Sequence, residues 1–421
     1  MKRYCAIIIL LLSAIACEPT ELPSNTDSMT RIPLDEAIET LNNTLLAIHP
    51  LTKTTGELEI DEILTISKNT IIDGAPNEDL AYVVNYTNDK GFALLSADRN
   101  LPDPIIAILE NGTMDQNMTI HYEVKTKSDS SQDTISAFIG SLLNNYTLNE
   151  GGGGNGDDDE EHDDENPEGD DPGTLWNPGM TTWVPYSVVA PMVPLLWDQI
   201  NSPFNDNYPL HNGHPRNAGC VPLAISMILA YHHRPANLVI DNNPIDWDLV
   251  NEVERYDSTI GQTTNGHPLG KADVSDLIYS VGLGCNMSYI PFTSYTFAWP
   301  DDARDFLYSM GFTNATNHTS YDLDLIIDML EENNPVFIAS ISGFANGHAW
   351  LIDGMIRLQN GYGTRDLLHC NMGFGGIANG YYASRVFKSS KQIYLDSNYG
   401  DQEPDEDHTF SFNKFFRIIT Y

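Results

Sequence analysis

Cys220 and His348 are the two side chains whose types and settings suit nucleophilic chemistry together. Cys220 opens the apolar part of AGCVPLAISMILAYHHRP, the run from Ala218 to Pro235. Leu223, Met227 and Tyr231 recur every four residues with Ala224 and Ile228 alongside, so the run predicts a helix. Pro222 belongs in a first helical turn, where the N–H it lacks would have no intrahelical partner. Cys220 is therefore expected at or just before a helix N-terminus. Free N–H groups and the positive end of the dipole there favour the thiolate, which is the nucleophile. The competing reading is a buried structural thiol, the ordinary fate of a free cysteine. His348, in Gly347-His348-Ala349-Trp350, lies 128 residues downstream. An imidazole beside a thiol takes its proton and later hands it to a leaving amine. The tetrahedral oxyanion formed on the way needs donors, and Gln199 in Trp197-Asp198-Gln199 supplies a side-chain amide just upstream of the cysteine.

These residues need elements to hold them. Residues 193–209, VPLLWDQINSPFNDNYP, are irregular and rich in Trp, Pro and Asn, as expected of a segment lining a site. Helices are expected over Asp273 to Val281, stopped by Gly282, and over Asp301 to Met310, stopped by Gly311. A third is expected over Tyr321 to Glu332, with Ser320 or Asp322 as N-cap. Strands follow at Pro335 to Ile341, His348 to Ile352, Asp366 to Cys370, Tyr381 to Val386 and Phe410 to Tyr421. A helix carrying the nucleophile, then an antiparallel sheet carrying the histidine, is the split layout of a papain-like α+β fold. The Cys–His separation is close to the roughly 130–150 residues usual there.

The first half has a different texture. Leu34, Ala37, Ile38, Leu41, Leu45 and Ile48 form one stripe of an amphipathic helix over Ile32 to His49. A strand is expected at Glu57 to Ser67, and LAYVVNYTNDKGFALLSA, residues 80–97, is a hairpin turning at Asn88-Asp89-Lys90-Gly91. Pro104 to Glu110 adds a strand, and Asp133 to Tyr146 reads as a helix. Residues 30–147 are thus a small α+β domain. Residues 151–173 hold eleven Asp or Glu and no Lys or Arg, so 148–174 reads as a self-repelling, unfolded linker, and 175–421 as a second domain.

The formal charge of −38 argues against nucleic-acid binding and against an electrostatic hold on anionic lipid. Residues 1–17 form a targeting segment: Lys2 and Arg3, then the apolar run Ala6 to Leu12. Ala14-Ile15-Ala16 suits ordinary signal peptidase, whereas Cys17 after Ile15-Ala16 suits a bacterial lipobox, with Cys17 acylated. The lipoprotein reading is favoured, since chance seldom places a cysteine there. Export, with the product at the outer membrane, on the cell surface or secreted, is the expectation. Beyond that segment only Cys220, Cys285 and Cys370 remain, an odd number that leaves a free thiol. No Cys/His cluster has zinc spacing, and neither metal nor organic cofactor is expected.

Four segments, LLWDQINSPFNDNYP, GCVPLAISMILAYHHRP, NPVFIASISGFANGHAWLIDGM and HCNMGFGGIANGYY, together resemble the streptopain family of bacterial cysteine peptidases. The resemblance implies Cys220 as nucleophile, His348 as its partner and Gln199 as the oxyanion glutamine. Residues 30–125 resemble the propeptide-like inhibitor domain found in front of such peptidases. The family usually reads Asn-Trp-Gly-Trp-Gly where this chain has Asn371-Met372-Gly373-Phe374-Gly375, so Asn371 is left as the histidine's orienter. Pro222 and Leu223 stand where the family has small residues. The expectation is an exported cysteine endopeptidase made as a zymogen, acting on proteins or peptides and held by its own N-terminal domain. The alternatives are an inactive papain-like binding protein and a thiol acyltransferase.

Overall fold

Alternating apolar residues build the centre of the molecule. In Val336–Ser342, Val336 and Ile338 join one core while Phe337 and Ala339 join another. In Asn346–Asn360, Trp350 and Ile352 alternate in the same way with Ala349 and Leu351. The two strands pair antiparallel, Ile338 opposite Trp350 and Ser340 opposite His348. A sheet apolar on both faces must be covered on both. The computed structural model describes residues 31–48, 58–71, 77–121, 182–253, 256–257, 262–263, 266–293, 296–342, 346–361, 363–387, 393–394, 409–410 and 416–421. It places these strands within an eleven-stranded sheet.

In chain order the sheet strands are β1 (Ile60–Ser67), β2 (Asp79–Tyr86), β3 (Phe92–Ser96), β4 (Ile105–Leu109), β5 (Val184–Val189), β6 (Thr316–His318), β7 (Val336–Ser342), β8 (Asn346–Asn360), β9 (Gly363–Asn371), β10 (Gly380–Ala383) and β11 (Arg417–Thr420). Their order across the sheet is β1-β2-β3-β4-β10-β9-β8-β7-β11-β6, and β5 pairs with the far half of β8. The main helices are α1 (Leu34–Ile48), α2 (Cys220–His232), α3 (Pro268–Gly284), α4 (Pro300–Ser309) and α5 (Leu323–Glu331). One core joins α1, α5 and the N-terminal strands to one part of the sheet; the other gathers α2, α3 and α4 on the opposite face of β7 and β8.

Helix α2 is buried continuously from Val221 to Ala230, so it is apolar all round, as a core helix must be. Helix α3 starts earlier and ends later than its sequence suggests. His267 caps it, its side chain accepting from the Leu269 N–H, and Pro268 opens it. Gly282 does not stop it: a Cβ there would come 2.6 Å from Met287 Sδ, so this glycine serves close packing. Asp322, not Ser320, caps α5. The strand expected over His348 to Ile352 runs on to Asn360, because a β-bulge at Asp353 absorbs a polar residue without ending the pairing. Strand β10 stops at Ala383, and Ser384–Phe387 turns into a 3₁₀ helix.

The N-terminal strands do not form a sheet of their own. β4 pairs with β10, Leu109 opposite Gly380, Ile108 opposite Tyr381 and Ala107 opposite Tyr382. Gly380 has φ 153°, and a Cβ on it would stand 2.2 Å from the Ile108 carbonyl oxygen, so only glycine admits this approach. Arg365 of β9 donates to the Pro102 carbonyl at 2.5 Å beside Asp103. Ile105, Ile106, Ile108 and Leu109 are all buried. Each such side chain contributes about 1.5–3 kcal/mol against about 0.5–1.5 for a backbone hydrogen bond, so burial dominates this seam. The expected helix over Asp133 to Tyr146, the linker 148–174, the targeting segment and Cys17 lie outside the described residues. Among the described residues no helix is long and apolar enough to cross a membrane.

Candidate active site

Cys220 is the first residue of α2, preceded by Gly219 at φ 90° and ψ 148°. A Cβ at Gly219 would meet Thr296 Oγ1 at 2.3 Å, so the chain enters the helix through a passage only glycine fits. The half-buried thiol lies near the backbone N–H of Ala349, the residue after His348, and near the N–H groups that open α2. Helix α2 and strand β8 thus bring Cys220 and the His348 segment together. Burial nonetheless pushes the thiol above its ordinary range, against the lowering effect of these N–H groups. Burial here works against the thiolate expected from the helix terminus.

His348 is buried on β8, and its Nε2 lies 3.0 Å from the Met372 carbonyl. A carbonyl only accepts, so Nε2 carries the proton and Nδ1 keeps the lone pair that a thiol proton would need. The ring is stacked on Phe374 at 4.9 Å and 29°, and on Trp350 at 5.8 Å and 12°. Burial pushes the imidazole down to about 4, with the Met372 hydrogen bond acting the other way. Burial thus favours the neutral form of both groups.

The structure corrects the part expected of Asn371. Its amide donates to Leu195 O at 2.8 Å and Val193 O at 3.4 Å, and its oxygen accepts from Gly373 N–H. It holds the strap ahead of Gln199, while the Met372 carbonyl orients the histidine. The turn beyond Asn371 is tight: a Cβ on Gly373, at φ 70°, would touch Leu223 at 2.9 Å. Leu223 thus fills the space where the family pattern has a small residue.

Gln199 is 8% exposed, and its Nε2 has no partner among the described residues. Its backbone carbonyl accepts from Ala218 N–H at 2.7 Å, which sets it beside the chain two residues before Cys220. Asp198 beside it is buried and accepts from the Ile200 and Asn201 N–H groups, fixing the turn. A buried amide donor without an acceptor costs about 1–3 kcal/mol, and an oxyanion would satisfy it. Among the described residues no group of three or more His, Cys, Asp or Glu could hold a metal.

Sequence reasoning missed the Met372 carbonyl, which no side-chain pattern announces, and His369. Buried on β9, His369 lies 2.5 Å from Asp353 and 3.3 Å from Glu110. The available signal was one polar residue set against each apolar run: Asp353 after Ala349 to Ile352, and His369 after Leu367-Leu368.

A thiol at the head of a buried helix, facing a histidine-bearing antiparallel sheet in an α+β fold, defines a cysteine-type peptidase of papain-like build. The Peptidase C10 family matches residues 197–382. That match supports a cysteine peptidase of the streptopain family over those residues. The chain is 22% identical to streptopain of Streptococcus pyogenes over 325 residues, 72% of this chain and 73% of that one. It is 28% identical over 208 residues to the thiol protease/hemagglutinin PrtT of Porphyromonas gingivalis, 45% of this chain but only 23% of PrtT's length. A prointerpain A fragment from Prevotella intermedia shares the fold at a TM-score of 0.51 and 20% identity, over 87% of this chain and 98% of the fragment.

Proposed function

We propose that the chain is an exported cysteine endopeptidase, made as a zymogen, that cleaves proteins through Cys220 and His348. The observation that carries this is Cys220 at the head of α2, close to the backbone of Ala349, the residue after His348, whose Nε2 is held by the Met372 carbonyl. The thiol proton passes to His348 Nδ1, and Sγ attacks the scissile carbonyl carbon. The oxyanion receives the Gln199 amide and the first N–H groups of α2. The imidazolium then protonates the leaving amine as the C–N bond breaks, giving a thioester. Water, deprotonated by His348, hydrolyses the thioester and restores the thiol. Gln199→Ala is expected to lower kcat by about 10²–10³, the usual effect of losing one oxyanion donor. A kcat near wild type would make Gln199 a packing residue.

Latency has a physical route in the N-terminal unit. Glu110 N–H donates to Asn379 O, Asn111 donates to Gly376 O, and Asn379 Oδ1 accepts from Met372 N–H. That unit therefore grips the loop whose Met372 and Phe374 hold His348. A binding protein without catalysis would rest on the absence of the family's two tryptophans, but Phe374 keeps an aromatic face on the imidazole. For the acyltransferase reading, Asp353 would have to serve His348, and its carboxylate is turned to His369 and Val193 instead. Acylation of Cys17 belongs to the same proposal.

A cysteine-directed epoxide and unfolded casein in heavy-oxygen water test the reading. The expected result, after the N-terminal unit is released, is an adduct at Cys220 and new C-termini carrying the heavy oxygen. Adduct without cleavage supports a binding protein, and transfer of the acyl group to added amine supports the acyltransferase.

A further inference from the structure

Asp353 is completely buried, is not bonded to His348, and has no part in the mechanism above. It is the bulged residue of β8: Ile352 pairs with Cys370 and Gly354 with His369, leaving Asp353 outside the ladder. A bulge of this kind re-aims a side chain. Here it aims a carboxylate at the strap that leads to Gln199. Asp353 Oδ2 accepts the Val193 N–H at 2.9 Å, and its backbone carbonyl accepts the Met192 N–H at 2.9 Å. Gly354 makes room, since a Cβ there would lie 3.0 Å from Pro191 N and Val189 O. Farther along, Asn371 holds Leu195 O, and the Gly375 N–H holds Trp197 O at 3.0 Å. Gln199 is the next residue but one.

A buried carboxylate persists only with a countercharge. His369 provides it. Its Nδ1 faces Asp353 Oδ1 at 2.5 Å and its Nε2 faces Glu110 Oε1 at 3.3 Å, so both ring nitrogens meet acceptors and both must carry protons. Tyr381 lies edge-on to the ring at 4.9 Å, and Cys370 follows it on β9. Glu110 belongs to the N-terminal unit and its side chain is 41% exposed, so solvent weakens its share and the Asp353–His369 pair is the core of the cluster.

We propose that Asp353, neutralised by His369, is a positioning residue that holds the Met192–Gln199 strap so that the Gln199 amide meets the developing oxyanion. The proposal rests on the peptidase reading for its kinetic consequence but not for its structural one, and the test separates the two. Amide exchange is followed in the full chain carrying Cys220→Ala. Adding Asp353→Ala is expected to speed exchange over residues 192–199 at least about tenfold, leaving α2 and β7 unchanged. Asp353→Asn keeps an oxygen for Val193 and is expected to stay protected. Should Asp353→Ala not fold, His369→Gln serves: it strands the carboxylate and loosens the strap, and the double variant Asp353→Asn/His369→Gln restores it.

The kinetic arm uses enzyme freed of its N-terminal unit. Asp353→Ala is expected to lower kcat with KM little changed, by no more than Gln199→Ala does, about 10²–10³. Asp353→Ala/Gln199→Ala is expected to be no worse than Gln199→Ala alone. Unaltered exchange over 192–199, equal loosening everywhere, or multiplicative losses in the double variant would each overturn the proposal. Absence of any peptidase activity would sink the functional reading and leave the exchange result standing.

Discussion

With Cys220 or His348 replaced by Ala, and the N-terminal unit released, hydrolysis of unfolded casein falls by about 10⁴–10⁶-fold while the protein stays folded. The size follows from the covalent route. Without the thiol no thioester forms; without the imidazole neither the thiol proton nor the amine proton has a carrier. The two losses do not add, because the pair acts as one unit, so the double variant is no slower than either single one. Folding survives because both side chains stand at the margin of their elements: Cys220 begins α2, and His348 lies near the start of β8. Near-native circular dichroism with residual cleavage within tenfold of wild type would remove the dyad from the mechanism.

Cutting the chain within residues 151–173 is expected to raise alkylation of Cys220 at pH 7 by about 10²-fold, and adding residues 30–147 back should reverse it. In the docked geometry burial raises the thiol and lowers His348 to about 4. A raised thiol gives up its proton only in alkali, and an imidazole lowered to about 4 is neutral at every pH above that. The intact chain should therefore react faster only as pH climbs past the ordinary thiol range. Once Glu110 and Asn111 leave the loop that holds Met372 and Phe374, the thiol can transfer its proton to His348. The cut protein should then react at a level rate from mildly acidic pH upward. An uncut covalent connection keeps the two parts at high effective concentration, which is why cutting matters. Identical pH profiles before and after cutting would mean that the N-terminal unit is no latch, and that the acidic segment is a stalk.

The site was legible in the sequence to the extent that it rests on local rules. Pro222 and the four-residue spacing placed Cys220 at a helix start, and the structure begins α2 at that residue. Gln199 was marked by its place upstream of the nucleophile, and its amide is buried and unpartnered. The hairpin around Asn88 was legible because turn chemistry is written in adjacent residues. Asn371 was misjudged for the opposite reason. Its choice between His348 and the Leu195 carbonyl depends on two segments meeting in space, and no spacing encodes that. The long β8 was missed because Asp353-Gly354 looks like a strand end until the strap and His369 are there to receive it. The joining of β4 to β10 was invisible for a related reason: both are short apolar runs, and nothing in either names its neighbour.

That junction decides what release of the N-terminal unit would expose. While β4 is in place, the backbone of β10 is paired on that side at Gly380, Tyr381 and Tyr382. Removing the N-terminal unit turns β10 into an edge strand, with bare N–H and C=O groups beside two tyrosines and a glycine that tolerates very close approach. Such an edge is a template for any extended chain, including another copy of the enzyme. On the proposed zymogen reading, the unit that silences the peptidase would also be its guard against self-association. An enzyme cut but still carrying its N-terminal fragment should remain monodisperse, and the stripped enzyme should be the form that aggregates.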